Sequence, residues 1–294
     1  MAPAARRTQG ATVHRNDRIK LAFLLPAALW VLCFTAFPLV YGAKLSLYNV
    51  KIASPDEFVG LRNYVHFFSD QRALSSVWIT LIFVFCGVTV QMTLGMGLAL
   101  LFNQPMPLRG VFRTVLTMPL FATPIAVGFL FFTIFYEEGG LINGLLHLKV
   151  PWLSSPYWAL ASVIVVDVWQ WTPFCFLIFL AALQGIPDAH YEAAMLETRN
   201  GWAVFRYITF PVLQPTVILV LLLRITEAFK VFDVPFTLTG GGPGVATQVL
   251  SMYAYRVGMR FFNFGYSSSI AILLLILVMA IIMTLFRRIR QAHQ

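Results

Sequence analysis

Apolar and polar positions fall in long blocks along this chain, and the blocks set its expected architecture. Six runs carry few or no charges: residues 21–43, 74–102, 114–135, 158–183, 212–232 and 265–286. A helix needs about 20 predominantly apolar residues to cross the hydrocarbon core of a bilayer. Each run therefore predicts a spanning helix, and the chain reads as an all-α membrane protein with six transmembrane helices. Prolines recur in or near these runs, at Pro26, Pro38, Pro119, Pro124 and Pro173. Membrane helices tolerate them where neighbours re-satisfy the freed backbone groups.

The stretch from Gly185 to Pro215 breaks this pattern. Gly185 and Pro187 end the preceding helix, and Asp188 is placed to cap a new one. Tyr191, Ala194, Met195 and Thr198 recur at i, i+3, i+4 and i+7, one face of a helix, with Glu192 and Ala193 beside it. Asn200-Gly201 signals a turn. A second short helix is expected from Trp202 to Tyr207, ending before Pro211. Helices shorter than about 12 residues are marginal alone in water. The hairpin is thus either an amphipathic loop on the membrane surface or an element with a partner. Ala193-Ala194 would let a partner backbone approach closely.

Composition agrees with a bilayer setting. Of 294 residues, 59% are hydrophobic and 11% charged, against about 25% charged in a typical soluble domain. The net charge of +9 does not point to nucleic acid, because the basic residues cluster at the ends of apolar runs. With the N-terminus in the cytoplasm, 12 Lys and Arg fall inside and seven outside. The inside set includes Arg6, Arg7, Arg15, Arg18, Lys20, Arg199, Arg288 and Arg290. This bias predicts both termini inside and puts the Gly185 hairpin in the cytosol. The expected organisation is a cytoplasmic basic tail (1–20), a first helix with its outer loop (21–73), a five-helix core (74–286) containing the hairpin (185–211), and a tail (287–294). The run at 21–43 is too long for a signal-peptide core.

Chemistry-bearing motifs are sparse. Cys33, Cys86 and Cys175 sit in apolar runs and read as packing residues. The five histidines show no metal-ligand spacing, and His66 and His190 are expected in loops. The run Thr239–Gly244 lacks the Gly-Lys-Ser/Thr ending of a nucleotide loop and reads as a tight outer turn. No catalytic constellation, metal site or cofactor site is expected on this chain.

Polar groups at membrane depth are costly and so mark candidate pathways. Asp167, Gln170, Trp171 and Phe174 form one polar and aromatic stripe on the fourth run. It suits a hydroxyl-rich ligand in a cavity, or an interhelical polar clamp. Arg224, Glu227, Lys230 and Asp233 alternate in sign every third residue on the fifth run. They form either a salt-bridge ladder along one helix or the lining of a water-filled path.

The cytosolic hairpin resembles the EAA loop of permease subunits in bacterial ABC importers. Glu192-Ala193-Ala194 matches, and Phe205, Ile208 and Pro211 keep the family's register. Glu197, Thr198 and Arg199 replace the usual Asp-Gly-Ala. Without that glycine the first helix is expected to run on toward Asn200-Gly201. Phe58–Tyr64, Phe232-Asp233 with Leu238–Pro243 and Thr247, and Phe261–Tyr266 resemble carbohydrate permeases of the maltose-transporter type.

The resemblance implies a type I ABC-importer permease fold and a non-catalytic subunit of a sugar importer in the bacterial or archaeal inner membrane. It implies a second homologous permease, two ATPase subunits that hold the ATP and Mg, and an extracytoplasmic solute-binding protein. Tyr191, Glu192, Ala193, Ala194, Met195, Glu197 and Gly201 would couple to the ATPase. Asp167, Gln170, Trp171, Phe174, Arg224, Glu227 and Asp233 would line the substrate pathway. The rival readings are an importer for another polar solute, such as a phosphorylated polyol, and an ion-coupled transporter using Asp167 or Glu227. A membrane-embedded enzyme is disfavoured by the missing catalytic constellation.

Overall fold

The computed structural model describes residues 23–52, 54–198 and 200–292, and no side chains at Met195 or from residue 288 onward. The basic tail 1–20 and Arg199 lie outside these residues, as do the side chains of Arg288 and Arg290.

In chain order, helix α1 (Phe23–Leu45) leads into an antiparallel pair, β1 (Tyr48–Asn49) and β2 (Glu57–Phe58), and a short helix α2 (Arg62–Ser69). Then come α3 (Gln71–Asn103), α4 (Arg109–Phe121), α5 (Pro124–Ile134), α6 (Leu141–Leu146) and α7 (Pro156–Gln184). The chain continues through α8 (Asp188–Glu197), α9 (Gly201–Phe229), α10 (Asp233–Leu238), α11 (Leu250–Tyr255) and α12 (Phe264–Ala292). Helices α1, α3, α7 and α9, and α12 as far as Arg287, are long and apolar enough to cross a membrane.

The remaining expected span, 114–135, is not one straight helix. Helices α4 and α5 meet at 103°. Pro124 pushes the residue before it out of the helical region, and Thr123 is extended (ψ 139°), as is Ala122 (ψ 135°). The break frees the Ala122 carbonyl, which accepts a hydrogen bond from Gln170 Nε2 at 3.1 Å. A neighbouring span thus supplies the partner that the bilayer cannot.

Helix α7 is the axis of the fold and the most buried of the spans. It packs along α3, which presents Gly87, Gln91, Gly95 and Ala99 four residues apart. A Cβ on Gly95 would lie 2.6 Å from Cys175 Cβ, so the helices meet nearly backbone to backbone there. One apolar cluster, with Phe83, Val127, Val166 and Phe229, and another, with Phe102, Phe176, Phe179 and Leu213, fill the two halves of the core. Helix α1 stands apart: none of its most apolar window is buried, and it packs against α12. His66 lies in α2 and His190 in α8, not in loops.

The N-terminal end of α3 is tied at Asp70. Its carboxylate caps α3 by accepting the backbone N–H groups of Arg72 (2.9 Å) and Ala73 (3.3 Å). It also accepts the hydroxyls of Tyr266 (2.7 Å) and Tyr253, joining α3, α11 and α12. Burial raises its pKa, but the hydrogen bonds from Tyr253, Tyr266 and the two amides outweigh that and hold it below the usual value. A depressed folded-state pKa stabilises above the unfolded value and loses that contribution as pH falls through the folded one. Asp70→Asn is therefore expected to lower the thermal midpoint in detergent at pH 7. The gap to wild type should shrink below about pH 4, the ordinary carboxylate range. A gap that stays constant down to the acid limit would argue against ionisation as its source.

Candidate functional site

Two candidate sites stand at opposite ends of α9. The first is a recess of about 230 Å³ beside α7 and α9, lined by Asp167, Gln170, Trp171, Arg224, Glu227 and Asp233 among others. Every residue expected on the pathway lines it except Phe174, which supports the Trp171 ring edge-on at 6.3 Å.

The charges are not paired as a ladder along one helix. Arg224 is buried and crosses to α7, with Nη2 3.5 Å from Asp167 Oδ2. Gln91 of α3 joins them: its Nε2 donates to Asp167 Oδ2 at 2.7 Å and its Oε1 accepts from Arg224 Nε at 2.9 Å. The guanidinium also stacks over Trp171, 4.6 Å from the ring centroid. Glu227 instead pairs with Lys230 at 2.8 Å at the exposed mouth. Asp233 starts α10.

The reason is geometric. At the Arg224 level α9 is packed between neighbours, and an unpaired buried charge is far costlier than one facing water. Arg224 must therefore find an acid inside, whereas Glu227 and Lys230 remain wet. Gln91 escaped the sequence reading. Its signal was a lone amide in the apolar run 74–102, four residues from each of two glycines. Gln170 acts in part as the clamp for the α4–α5 break, through its bond to Ala122.

The second site is the hairpin α8–α9. Asp188 does not cap α8; Pro187 holds the cap position, and Asp188 lies in the first turn, where its charge suits the helix N-terminus. Helix α8 stops at Glu197, against the expectation that it runs on. Thr198 is extended (φ −150°, ψ 143°), and its Oγ1 accepts the Asn200 N–H at 3.1 Å. The Asn200 side chain then caps α9 by accepting from Trp202 N at 3.0 Å. Extended Thr198 thus marks the end of α8, and the Asn200 side chain starts α9. Gly201 is the first residue of α9, not a terminator.

No second short helix ends before Pro211. Residues 201–229 form one helix. Its Phe205–Thr209 turn is widened, and Phe210 N–H donates to Phe205 O, five residues back. That register accommodates Pro211, which lacks an N–H and would crowd an ordinary turn.

The face of α8 is also turned differently. Tyr191 is half-buried against the ends of α3 and α7 in the same chain, and Ala194 is buried on a helix that packs on the Phe205–Thr209 turn. Glu192, Ala193 and Glu197 are exposed, and so are Leu196 (90%) and Trp202 (70%). Among the described residues, Leu196 and Trp202 thus stand out as exposed apolar anchors of the hairpin, with Tyr207 further along α9.

Comparisons with known proteins decide the family. The model of the binding-protein-dependent transport system inner membrane component matches residues 91–292. The chain belongs to this family. A probable ABC transporter permease of Sinorhizobium fredii is 37% identical over 280 residues, covering 92% of this chain and 90% of that protein. The trehalose/maltose transport permease of Thermococcus litoralis is 35% identical over 276 residues, covering 91% and 92%. A sulfoquinovosyl glycerol transport permease of Agrobacterium fabrum is 33% identical over 283 residues, covering 94% and 92%. The fold is that of solved importer subunits: a chain of a bacterial ABC transporter for alginate superposes with TM-score 0.86 at 22% identity, over 98% of this chain and 100% of that one. This permease is therefore a non-catalytic membrane subunit, not an enzyme or an ion-coupled carrier.

Removing one partner of the buried node leaves an uncompensated charge, which costs about 3–5 kcal/mol. Asp167→Leu should lower the permease's stability by that order. Asp167→Leu with Arg224→Met should recover most of the loss. Thermal unfolding in detergent checks both, and a double variant no better than the single would refute the pairing.

Proposed function

We propose that this permease forms half of the membrane pathway of an ATP-driven sugar importer. In this reading it has six spans, the bent α4–α5 pair serving as one. Both termini face the cytoplasm of a bacterial or archaeal cell. A second homologous permease completes the pathway, and two ATPase subunits, which hold the ATP and Mg, dock at the hairpin. An extracytoplasmic solute-binding protein delivers the sugar. The expected segments follow: tail 1–20, first helix and outer loop 21–73, core 74–286 with the coupling loop 185–211, and tail 287–294.

The observation that carries the reading is the continuity of α9. One unbroken helix of 29 residues, about 43 Å at 1.5 Å per residue, joins the exposed hairpin to Arg224 and Glu227 at the recess. A displacement of the hairpin then reaches the recess as a rigid-body tilt. The ATPase cycle shifts the recess between outward and inward states, and substrate biases the cycle only through its differential affinity for them.

A sugar fits the recess chemically. Trp171 offers a flat ring, and Glu227 and Asp233 accept from hydroxyls at the mouth. The sugars named for the Thermococcus and Agrobacterium relatives support this class. So does the alginate transporter, whose solved complex includes a pentasaccharide-bound periplasmic protein. For the phosphorylated-polyol alternative, the recess offers Arg224 and Lys230 as cations, and Asp167 and Glu227 already pair with them.

The hairpin reading assigns coupling to Glu192, Ala193 and Glu197 on the outer face, with Tyr191, Ala194, Met195 and Gly201 shaping the element. Leu196 and Trp202 add the apolar contacts. Uptake into vesicles containing both permeases, the ATPase and the binding protein tests it. Glu192→Lys and Leu196→Asp are each expected to abolish ATP-driven uptake while the chain still inserts. Normal uptake from both would defeat the coupling role. Trp171→Ala should raise the half-saturating sugar concentration, by about tenfold for a stacking contact worth 1–2 kcal/mol. An unchanged value would make Trp171 a packing residue.

A further inference from the structure

Two sequence stretches, Phe58–Tyr64 and Phe261–Tyr266, take no part in either site, yet the fold brings them together. The Val50 carbonyl accepts N–H groups from Phe264 (2.9 Å) and Gly265 (3.3 Å). Asn63 Nδ2 donates to the carbonyls of Ser46 (2.8 Å) and Tyr48 (3.0 Å). A Cβ on Gly265 would lie 2.0 Å from the Tyr48 oxygen, so only glycine permits this approach. Between the stretches lies a framed recess of about 290 Å³, lined among others by Asn49, Lys51, Arg62, Asn63, His66 and Tyr266. The His66 ring packs on Tyr266 at 4.7 Å between centroids.

Its charge is one-sided. Lys51 and Arg62 are exposed, and no carboxylate lines the recess. Among the described residues neither forms an ion pair. Of the acids close in sequence, Asp70 is engaged by two tyrosine hydroxyls, and Asp56 and Glu57, exposed on the segment between Lys51 and Arg62, are not part of the lining. Beyond Tyr253 a second basic group extends the surface. Arg256 is anchored on Gln248 Oε1 at 2.9 Å and on the Gly240 carbonyl. Burial, then the neighbouring Arg260 and Arg72, hold its guanidinium below its ordinary pKa. Clustered like charges repel one another and build a positive potential that an acidic partner would relieve.

We propose that the recess of Lys51, Arg62 and His66 is a docking socket for a carboxylate side chain of the extracytoplasmic binding protein. Arg72, Arg256 and Arg260 steer that protein's acidic surface toward it. The amides of Asn49 and Asn263 at the recess suit a single planar carboxylate held by hydrogen bonds as well as charge, while Asn63 frames it through the Ser46 and Tyr48 carbonyls. The proposal rests on the topology given under Proposed function, which puts this end of the permease outside.

The test uses the full complex, with second permease and ATPase, in nanodiscs of neutral lipid. ATP hydrolysis is followed against binding-protein concentration. Lys51→Glu with Arg62→Glu should raise the half-saturating concentration about tenfold or more and remove much of its salt dependence. Lys51→Gln with Arg62→Gln should fall between that and wild type, with an unchanged thermal midpoint as the folding control. Identical half-saturation for all three, in a wild type that responds to the binding protein, overturns the socket alone. A difference that appears only when anionic lipid is added assigns the recess to lipid headgroups and also overturns it. A wild type whose hydrolysis ignores the binding protein overturns the proposed function itself.

Discussion

A charge cannot be left alone in the middle of a bilayer protein, and that constraint fixes the centre of this permease. Arg224 on α9 is buried, so it must be met by an acid and a hydrogen-bond acceptor from elsewhere. Asp167 of α7 and Gln91 of α3 supply them. Three spans are thereby locked in one rotation and one depth. Gly87 leaves room beside the node, where a Cβ would touch Asp167 Oδ2 at 3.6 Å, and the close approach at Gly95 holds α3 and α7 together one turn beyond Gln91. Apolar packing above and below could slide by a turn at modest cost; the node could not. A buried ion pair is weak evidence for stability but strong evidence for register.

The node also explains how the two ends of the molecule can be linked. Arg224 sits on the same unbroken helix as Trp202, and the widened turn at Phe205–Thr209 carries that helix past Pro211. The recess inherits its rigid wall from the node and its wet mouth from Glu227 and Lys230. The bent pair α4–α5 is held to the same unit through Gln170 and the Ala122 carbonyl. A lever is only useful if its parts do not flex, and the breaks at Pro124 and Pro211 each have a named hydrogen bond beside them.

Membrane character, the apolar runs and the place of the polar hairpin along the chain were legible in the sequence because they depend on length and composition. The bilayer reads those properties directly, one residue at a time. The residues that line the recess were conspicuous for the same reason: a carboxylate, an amide and a guanidinium stand out in apolar runs. What they pair with was not. Spacing of i, i+3 made Arg224 and Glu227 look like partners, but burial separated them, and burial is a property of the packed helices. The hairpin misled in the same way. Tyr191 and Ala194 were visible as a face, yet only packing against the ends of α3 and α7 and the Phe205–Thr209 turn decided that the face turns inward and leaves Leu196 and Trp202 outside.

Local chemistry likewise had two solutions that sequence could not rank. The residue at Thr198 stands where the related loops keep glycine, and a longer helix was a fair expectation. The folded chain ends the helix there anyway: Thr198 turns extended, and the Thr198 and Asn200 side chains take the orphan backbone donors at the start of α9. Pro211 could have ended α9, but a register shift absorbed it. The sequence by itself determined that this chain crosses a bilayer, where its polar hairpin falls and which side chains are expensive to bury. Tertiary structure alone decided which of those side chains meet, because the partner of a buried charge is chosen by whichever helix packs against it, not by its neighbours in the chain.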